Sequence, residues 1–404
     1  MGTMIYLFGK IVWLYIFNPQ IVRAIKVPPV TPLIPYLPQV FKLDFLPDFY
    51  FIYWIIILAV IAVTHEFAHG IFAGRNKVKV KTTGFGFFPF FLPIFLAAFV
   101  ELDEKVMVKK SKFSQMAILS AGTFANVLTA ILFFAVMWGF FSLAFTPSGV
   151  TFDTYVYTNV EITNITSVNG ILINNPTYEN ILDLVNETGF TEIKTQDDEY
   201  LMTKELLELQ EGNEEILFLY DDAPAIKAGL AGAITEINQE EIESIEDLSE
   251  ELSKYSPGEE IEIKTKTDEE SFEYTIVLEE HPTEEDSVWL GIGFIDRQGS
   301  GIIGRVTYFL SSFKQPHIYY EAKFDGFSIF IYNLLWWTIL ISISVALVNM
   351  LPIGIFDGGR FFYLTVLGIT GSEKIAKKTF SYLTYFFIFL VFLLIFFWGL
   401  SFFS

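Results

Sequence analysis

Residues 55–74 read IIILAVIAVTHEFAHGIFAG, an apolar run that holds two histidines and a glutamate. About 20 apolar residues suffice for a helix to cross a bilayer. An ionisable side chain inside such a helix costs free energy, so it is retained where it has a partner or a function. Because helix positions i and i+4 lie on one face, His65 and His69 can reach one ion. The stretch therefore predicts a metal site inside a membrane helix.

His65, Glu66 and His69 together match the pattern H-E-x-x-H. In this pattern the two imidazoles bind zinc, and the adjacent glutamate holds and deprotonates a metal-bound water. Zinc suits such a site because it accepts nitrogen and oxygen ligands tetrahedrally and lowers the pKa of its water to about 7. The alternative is a pair of buried histidines that bond to the backbone or to each other.

A third ligand has to be a carboxylate, because the chain has no cysteine and its other histidines, His281 and His317, lie in or beside the acidic middle region. The C-terminal apolar part contains few acids. One of them is Asp357, in NMLPIGIFDGGR at 349–360. Pro352 and the glycines interrupt the helix there, so that a carboxylate can point inward at membrane depth. An ordinary Asp-Gly turn at the membrane edge is the alternative.

The composition indicates a membrane protein before any motif is considered. Of 404 residues, 52% are hydrophobic, 17% aromatic and only 18% charged, against about 25% charged in soluble domains. The net charge is −21, and most of the acid lies between about 186 and 286. No basic footprint for nucleic acid is present, so nucleic acid is excluded as a partner and the lipid bilayer is expected instead.

Five apolar stretches are candidate spans, at roughly 4–22, 48–73, 115–145, 326–350 and 379–403. The first is interpreted as an anchor, with an uncleaved signal-like segment as the alternative. Lysine and arginine are frequent between 73 and 113, which places that stretch in the cytoplasm by the positive-inside rule. The histidines then lie toward the cytoplasmic side of the cell membrane, and the acidic middle region is extracytoplasmic.

Three regions follow from this division of the chain. Residues 1–146 form an N-terminal membrane part, 147–300 an extracytoplasmic soluble domain with a core at about 216–280, and 301–404 a C-terminal membrane part. The expected fold is an α-helical transmembrane bundle with a re-entrant segment and an inserted α+β soluble domain. The number of copies in an assembly stays open.

The re-entrant segment is expected at 84–100, which reads GFGFFPFFLPIFLAAFV. It is apolar, opens with Gly84 and Gly86, and is interrupted by Pro89 and Pro93. Irregular backbone at membrane depth requires protein or water to satisfy its polar groups. A short kinked membrane helix is the alternative.

The chain resembles the site-2 protease family of intramembrane zinc metalloproteases. The resemblance rests on H-E-x-x-H followed far downstream by N-x-x-P-x-x-x-x-D-G-G, and on AFVELDEKVM at 98–107 with LSAGTFANVLTA at 119–130. It covers about 50–145 and 325–370. It implies a Zn²⁺ cofactor held by His65, His69 and Asp357, with Glu66 as the catalytic acid and base.

Further roles are implied by the same resemblance. Asn126, with Gly122, matches G-x-x-x-N, in which the asparagine positions or polarises the scissile carbonyl; Thr123 stands where the family often has proline. Hydrogen bonding between helices is the alternative for Asn126. Asn349 is expected to contact substrate or backbone.

The segment 84–100 resembles the family's membrane hairpin or loop that guides substrate. A helical substrate hides its peptide bonds, so it has to be extended before attack, and a strand edge can hold the extended form. Gly84 and Gly86 would permit close approach of the substrate backbone.

The soluble region resembles a PDZ domain, chiefly through DAPAIKAGLAGAITEIN at 222–238. Ala231-Gly232-Ala233 stands where a Gly-Asp is usual, and no clear G-L-G-F loop lies nearby. Peptide binding is therefore disfavoured, and a role as a size filter or a spacer is expected instead. Residues 165–187 echo the second half of this pattern, as a partial repeat or an insertion.

The expected function is regulated proteolysis of a membrane protein within its transmembrane helix. One rival is a membrane zincin with a glutamate as third ligand in a cytosolic catalytic domain. Another is a membrane scaffold or chaperone-like protein with a non-catalytic metal site. A transporter is disfavoured because paired broken helices are absent from the pattern.

Overall fold

The structure, a computed structural model, describes residues 2–17, 33–40, 46–88, 94–212, 215–267, 270–284, 287–295 and 311–400. The chain divides into two compact units. The first comprises Met1–Leu143 and Phe324–Ser404, and the second comprises Ala144–Lys323. The second unit extends beyond the expected limit at residue 300, because a strand at Ile318–Ala322 pairs with one at Phe145–Val150.

Up to residue 144, the described residues form five helices and two strands. The helices are α1 (Gly2–Phe17), α2 (Leu37–Val40), α3 (Phe51–Arg75), α4 (Glu104–Met107) and α5 (Lys112–Ala144), and the strands are β1 (Val80–Phe88) and β2 (Ile94–Leu102). The short helix α4 begins at Asp103, whose side chain accepts a hydrogen bond from the Val106 amide, as an N-cap residue does.

The second unit consists mainly of short strands. In chain order they are β3 (Phe145–Val150), β4 (Thr154–Tyr155), β5 (Tyr157–Glu161), β6 (Ser167–Val168), β7 (Ile171–Leu172), β8 (Thr191–Lys194), β9 (Glu199–Met202), β10 (Ile216–Asp221), β11 (Ala233–Ile237), β12 (Glu240–Glu241), β13 (Glu260–Lys266), β14 (Ser271–Val277), β15 (Glu279–Glu280), β16 (Val288–Trp289), β17 (Ile292–Gly293) and β18 (Ile318–Ala322). The helices are α6 (Tyr178–Leu182), α7 (Lys204–Glu208), α8 (Pro224–Lys227) and α9 (Ile245–Leu252), with a 3₁₀ turn at Ile162–Asn164.

Between residues 324 and 400, the first unit continues with α10 (Asp325–Asn349), α11 (Asp357–Thr370) and α12 (Glu373–Leu400). Within the described ranges, α3, α5, α10 and α12 are long and apolar enough to cross a membrane, which confirms four of the five predicted spans. The first predicted span is described only as the 16-residue helix α1, and 18–22 lie outside the described residues. The chain is therefore a multi-pass membrane protein with an inserted β-rich unit.

The segment expected to be re-entrant forms an antiparallel hairpin of β1 and β2. Gly84 lies opposite Phe99, and Gly86 lies opposite Ala97. Residues 89–93, which contain both prolines, lie outside the described part. The alternative of a short kinked helix is wrong for the residues on either side of them, because these are paired strands.

Helices α3, α5 and α11 meet in one buried cluster, to which they contribute Ala73, Ile118 with Leu119, and Leu364. Between membrane helices, van der Waals packing and hydrogen bonds provide the attraction, since lipid tails are as apolar as the side chains. This contact fixes the three helices that carry the site described below.

The second unit holds two six-stranded sheets, ordered β5-β10-β9-β8-β6-β7 and β14-β13-β11-β3-β18 with β12 on β11. Each has its own buried cluster, one around Ile193 and Leu217 and one around Ile234 and Ile263. Across the sheets, the partial orders β7-β6-β8-β9 and β12-β11-β13-β14 correspond strand by strand. Along the chain, a short helix follows β7 in the first set and β12 in the second. This shared order favours a repeat over an insertion at 165–187.

Candidate metal centre

The ligand atoms of His65, Glu66 and His69 lie within 4.8 Å of one another on α3. The two imidazoles point their Nε2 atoms at each other across 3.1 Å, as the i, i+4 spacing predicts. Both side chains are largely buried. The sequence pattern therefore forms one cluster in the fold.

Asp357, the first residue of α11, joins this cluster from the far end of the chain. Its Oδ2 atom lies 3.3 Å from Nε2 of His65 and 3.3 Å from Nε2 of His69. The three atoms thus form a nearly equilateral triangle. Tetrahedral zinc with bonds of 2.0–2.1 Å keeps its nitrogen and oxygen ligands about 3.3–3.4 Å apart. The spacing of these donors fits such an ion.

Gly122 on α5 leaves open the space that an ion would need. A Cβ added at this glycine would lie 2.5 Å from Nε2 of His65 and 2.5 Å from Nε2 of His69. Any side chain here would therefore clash with the Nε2 atoms of both histidines, which have to face the ion. The donor set and this gap together fit zinc.

Helix α5 also contacts the outer nitrogens of both imidazoles. Nδ1 of His69 lies 2.8 Å from the carbonyl oxygen of Ile118, and Nδ1 of His65 lies 3.1 Å from Nδ2 of Asn126. Asn126 is fully buried. The structure thus brings Asn126 to the centre, but in contact with a histidine ring.

Glu66 is held by the hairpin. Its Oε2 atom accepts a hydrogen bond of 2.9 Å from the backbone N–H of Val100 on β2. Val100 also packs against Gly70, one turn further along α3, where an added Cβ would lie 3.7 Å from its Cγ1. The outer edge of β2 therefore faces the H-E-x-x-H helix.

Two glycines after Asp357 allow the loop before α11 to fold closely over its first turn. A Cβ at Gly358 would lie 2.4 Å from the carbonyl carbon of Met350, and one at Gly359 would lie 2.3 Å from the carbonyl oxygen of Ile353. Backbone atoms cannot give way like a flexible side chain. The D-G-G sequence is thus required by packing, and it sets the position of the Asp357 carboxylate.

A bidentate ion pair joins α11 to α4. The two terminal guanidinium nitrogens of Arg360, Nη1 and Nη2, donate to the Glu104 carboxylate, each at 2.8 Å. The Arg360 hydrogen bonds hold the pKa of Glu104 below its ordinary value, because they favour the charged carboxylate. The pair links the start of the Asp357 helix to the segment that follows β2.

The remaining predicted site residues are Asn349, Gly84 and Gly86. Asn349 ends α10 and lines an apolar cavity of about 550 Å³ together with Trp337 and Phe356. Gly84 lies under the Phe99 ring, with an added Cβ only 2.9 Å from Cζ of that ring. Gly84 and Gly86 belong to β1, whereas the strand that contacts Glu66 is β2.

Several contacts at the site were missed from the sequence. The Ile118 carbonyl and the Val100 amide are backbone groups, and no residue type signals them. Arg360 stands in the quoted D-G-G-R stretch, but its partner Glu104 is recognisable only in the fold. Gly122 belongs with Asn126 to the G-x-x-x-N pattern, but the spacing of these residues in the sequence does not show that Gly122 lies against both imidazoles.

Comparison with known proteins agrees with this site. Residues 53–394 match the model of Peptidase family M50. The zinc metalloprotease RasP of Shouchella clausii (strain KSM-K16) is 26% identical over 190 residues, which are 41% of this chain and 45% of that protein. The chain thus matches about half the length of this curated relative. Because the family match covers most of the chain and includes H-E-x-x-H and Asp357, the chain belongs to peptidase family M50, the site-2 protease family of zinc metallopeptidases.

Proposed function

We propose that the chain is a zinc-dependent intramembrane endopeptidase, with zinc held by His65, His69 and Asp357. The observation that carries the proposal is the triangle of donor atoms with sides of 3.1–3.3 Å, beside Glu66 and within an apolar helix. Three protein ligands leave a fourth tetrahedral position for water or substrate, as in catalytic zinc sites. A purely structural site would close that position.

Zinc bound here would polarise a carbonyl oxygen and lower the pKa of a water molecule. Glu66 lies next to both histidines and takes the proton from the attacking water, then returns it to the leaving amine. Its bond to the Val100 amide fixes one carboxylate oxygen and leaves the other free for this proton transfer.

The proposed substrate is a membrane protein, cut in a transmembrane segment. Such a segment has to unwind locally, and the edge of β2 can pair with the extended form. Alternate residues of a strand expose their amide and carbonyl to the same edge. Ala98 therefore faces the same side as Val100, whose amide reaches Glu66.

Gly84 and Gly86 lie on β1, the strand that pairs with β2. Gly84 accommodates the Phe99 ring across the pair of strands, and an aromatic ring over a strand glycine stabilises the pairing. We therefore propose that these glycines shape the hairpin at membrane depth, and that β2 contacts the substrate.

The cavity beside Asn349 suits an apolar side chain of the substrate. Most of its lining is apolar, and Phe356 in its wall immediately precedes Asp357. The Asn349 amide at this cavity can bond to a substrate peptide group, which is the role expected for it.

For the second unit we propose an extracytoplasmic location and a PDZ-like function as a filter or spacer. The lysine-rich flanks at 73–113 support the orientation through the positive-inside rule. The strand order that its two six-stranded sheets share supports a tandem module.

The test compares the wild type with Glu66→Gln and Asp357→Ala in detergent. Zinc per chain is measured, and each protein is incubated with labelled single-pass transmembrane segments. We expect about one zinc in the wild type and in Glu66→Gln, and cleavage by the wild type alone. Asp357→Ala should lose zinc, because one of three protein ligands is removed.

Other outcomes would overturn parts of the proposal. Zinc retained in Asp357→Ala would favour a zincin with a different third ligand. Biological function retained in Glu66→Gln would favour a scaffold with a non-catalytic metal. A wild type without zinc would remove the metal centre itself.

A further inference from the structure

Residues on one face of α5 lie against the imidazoles of His65 and His69 on α3. At four-residue intervals it presents the Ile118 carbonyl, the Gly122 gap and the Asn126 amide. The outer residues contact the Nδ1 atoms, and the glycine faces the Nε2 atoms. The spacing of α5 thus repeats the i, i+4 spacing of the histidines.

The ring nitrogen that binds a metal determines what the other nitrogen must do. A histidine that binds through Nε2 carries its proton on Nδ1, and this N–H is usually donated to a carbonyl or carboxylate oxygen. His69 meets this requirement, since its Nδ1 lies 2.8 Å from the Ile118 carbonyl oxygen. His65 has Asn126 in the equivalent place.

The amide of Asn126 can serve the same purpose. Its Nδ2 lies 3.1 Å from Nδ1 of His65, which suits the tautomer with the proton on Nε2. With Nε2 bound to a metal, two N–H donors would face each other. A half-turn of the amide exchanges Nδ2 with Oδ1 in the same space and presents an acceptor to the His65 N–H.

Asn126 is poorly placed to contact a substrate. Its side chain is 0% exposed, and the second amide atom, Oδ1, is buried without a hydrogen-bond partner among the described residues. A scissile carbonyl would have to displace packed atoms to reach it. This position contrasts with the role expected from the family resemblance.

We propose that Asn126 is a positioning residue for zinc: its amide oxygen accepts the Nδ1–H of His65 and fixes the tautomer and ring orientation of that ligand. The proposal rests on the proposed zinc centre and specifies how α5 builds it. Ile118 performs the same task for His69 through its backbone, so only the His65 half depends on a side chain.

The test uses Asn126→Ala, Asn126→Asp and, as a matched control, Thr129→Val. Thr129 is also buried on α5, and its hydroxyl donates to Thr64 Oγ1 at 3.3 Å. The zinc dissociation constant is measured by chelator competition, and the visible spectrum of the Co²⁺-loaded protein reports the ligand geometry. Cleavage at saturating zinc is measured separately, and the melting temperature shows that each variant folds.

We expect Asn126→Ala to weaken zinc binding by about 10–100-fold, the usual effect of removing such an outer partner, and to change the Co²⁺ spectrum. Asn126→Asp should regain most of the affinity, because a carboxylate oxygen accepts the same N–H. Thr129→Val should bind zinc like the wild type.

Two results would overturn the inference. One is a wild-type zinc dissociation constant in Asn126→Ala, with or without a loss of cleavage at saturating zinc; a loss would assign Asn126 to the substrate carbonyl. The other is an Asn126→Asp variant that binds zinc as weakly as Asn126→Ala. Since zinc affinity is measured without substrate, these results are distinct from a failure to find a cleavable segment.

Discussion

The backbone N–H of Val100 donates a hydrogen bond of 2.9 Å to Oε2 of Glu66. This bond joins the β1–β2 hairpin to the catalytic-site helix α3 at the residue proposed as general base. A carboxylate held by a backbone amide keeps one orientation, because the strand that carries the amide is itself paired. The hairpin thus orients the base as well as offering an edge to the substrate.

Replacement of Val100 by proline should lower kcat while zinc binding is retained. The Val100 N–H points toward Glu66 and away from β1, so proline removes this one bond and spares the strand pairing. Misplacing a catalytic group can cost about 10²-fold in rate. Val100→Ala keeps the N–H and should act like the wild type. Equal kcat in the two variants, measured with a labelled transmembrane segment, would show that the bond has no role in orienting Glu66.

Gly122→Ala should abolish zinc binding. The added methyl would lie 2.5 Å from Nε2 of both histidines, so the two rings would have to move out of the position in which they can bind one ion. Gly139→Ala on the same helix is the matched control, since its Cβ meets no atom within 4 Å, and alanine favours a helix over glycine by roughly 0.5–1 kcal/mol. Metal analysis of purified protein should give no zinc for Gly122→Ala and wild-type zinc for Gly139→Ala. Full occupancy in Gly122→Ala would contradict the position assigned to the ion.

Gly358→Ala should weaken zinc binding and reduce cleavage. A Cβ at this position would lie 2.4 Å from the Met350 carbonyl carbon, so the loop or α11 has to move and carry the adjacent Asp357 with it. Gly368→Ala lies on the exposed part of the same helix with no atom within 4 Å of its Cβ, and it should keep both properties. The comparison uses zinc dissociation constants and cleavage rates. If both variants bind zinc equally well, the close packing at Gly358 does not set the position of Asp357.

The Glu104–Arg360 pair should make stability depend on pH in the acid range. Because the pKa of Glu104 is lowered in the folded protein, the pair stabilises the fold above the unfolded pKa of glutamate, about 4.3. That stabilisation is lost as the pH falls through the lower folded pKa. The melting temperature of the wild type should therefore exceed that of Glu104→Gln near neutral pH, and the difference should shrink in acid.

The effect is expected to be small, since the Glu104 side chain is 61% exposed and exposed pairs contribute little. Glu373→Gln is the control: Glu373 is 3.8 Å from Lys377, and both side chains are more than 70% exposed. A pH-independent difference for Glu104→Gln, or the same acid dependence in Glu373→Gln, would show that the Arg360 pair is not the cause.

Local patterns predicted much of the fold. Apolar length alone predicted the four membrane helices α3, α5, α10 and α12. In the second unit, the alternating segments EIEIKTK and SFEYTIV form the strands β13 and β14, as such alternation predicts. These features depend on neighbours in the chain, so they can be recognised without the fold. The hairpin of β1 and β2 was harder to predict from the sequence, because a short apolar run with prolines is compatible with a strand and with a kinked helix.

The sequence by itself determined the membrane class, the pair of histidines with their glutamate, and the chemistry that such a triad can perform, since i and i+4 share a helix face in any α-helix. Only the tertiary structure decided that Asp357 lies 3.3 Å from both imidazoles, that Gly122 leaves the gap between them, and that Asn126 faces His65. These contacts join segments far apart in the chain, and their geometry is set by the packing of α3, α5 and α11 against one another.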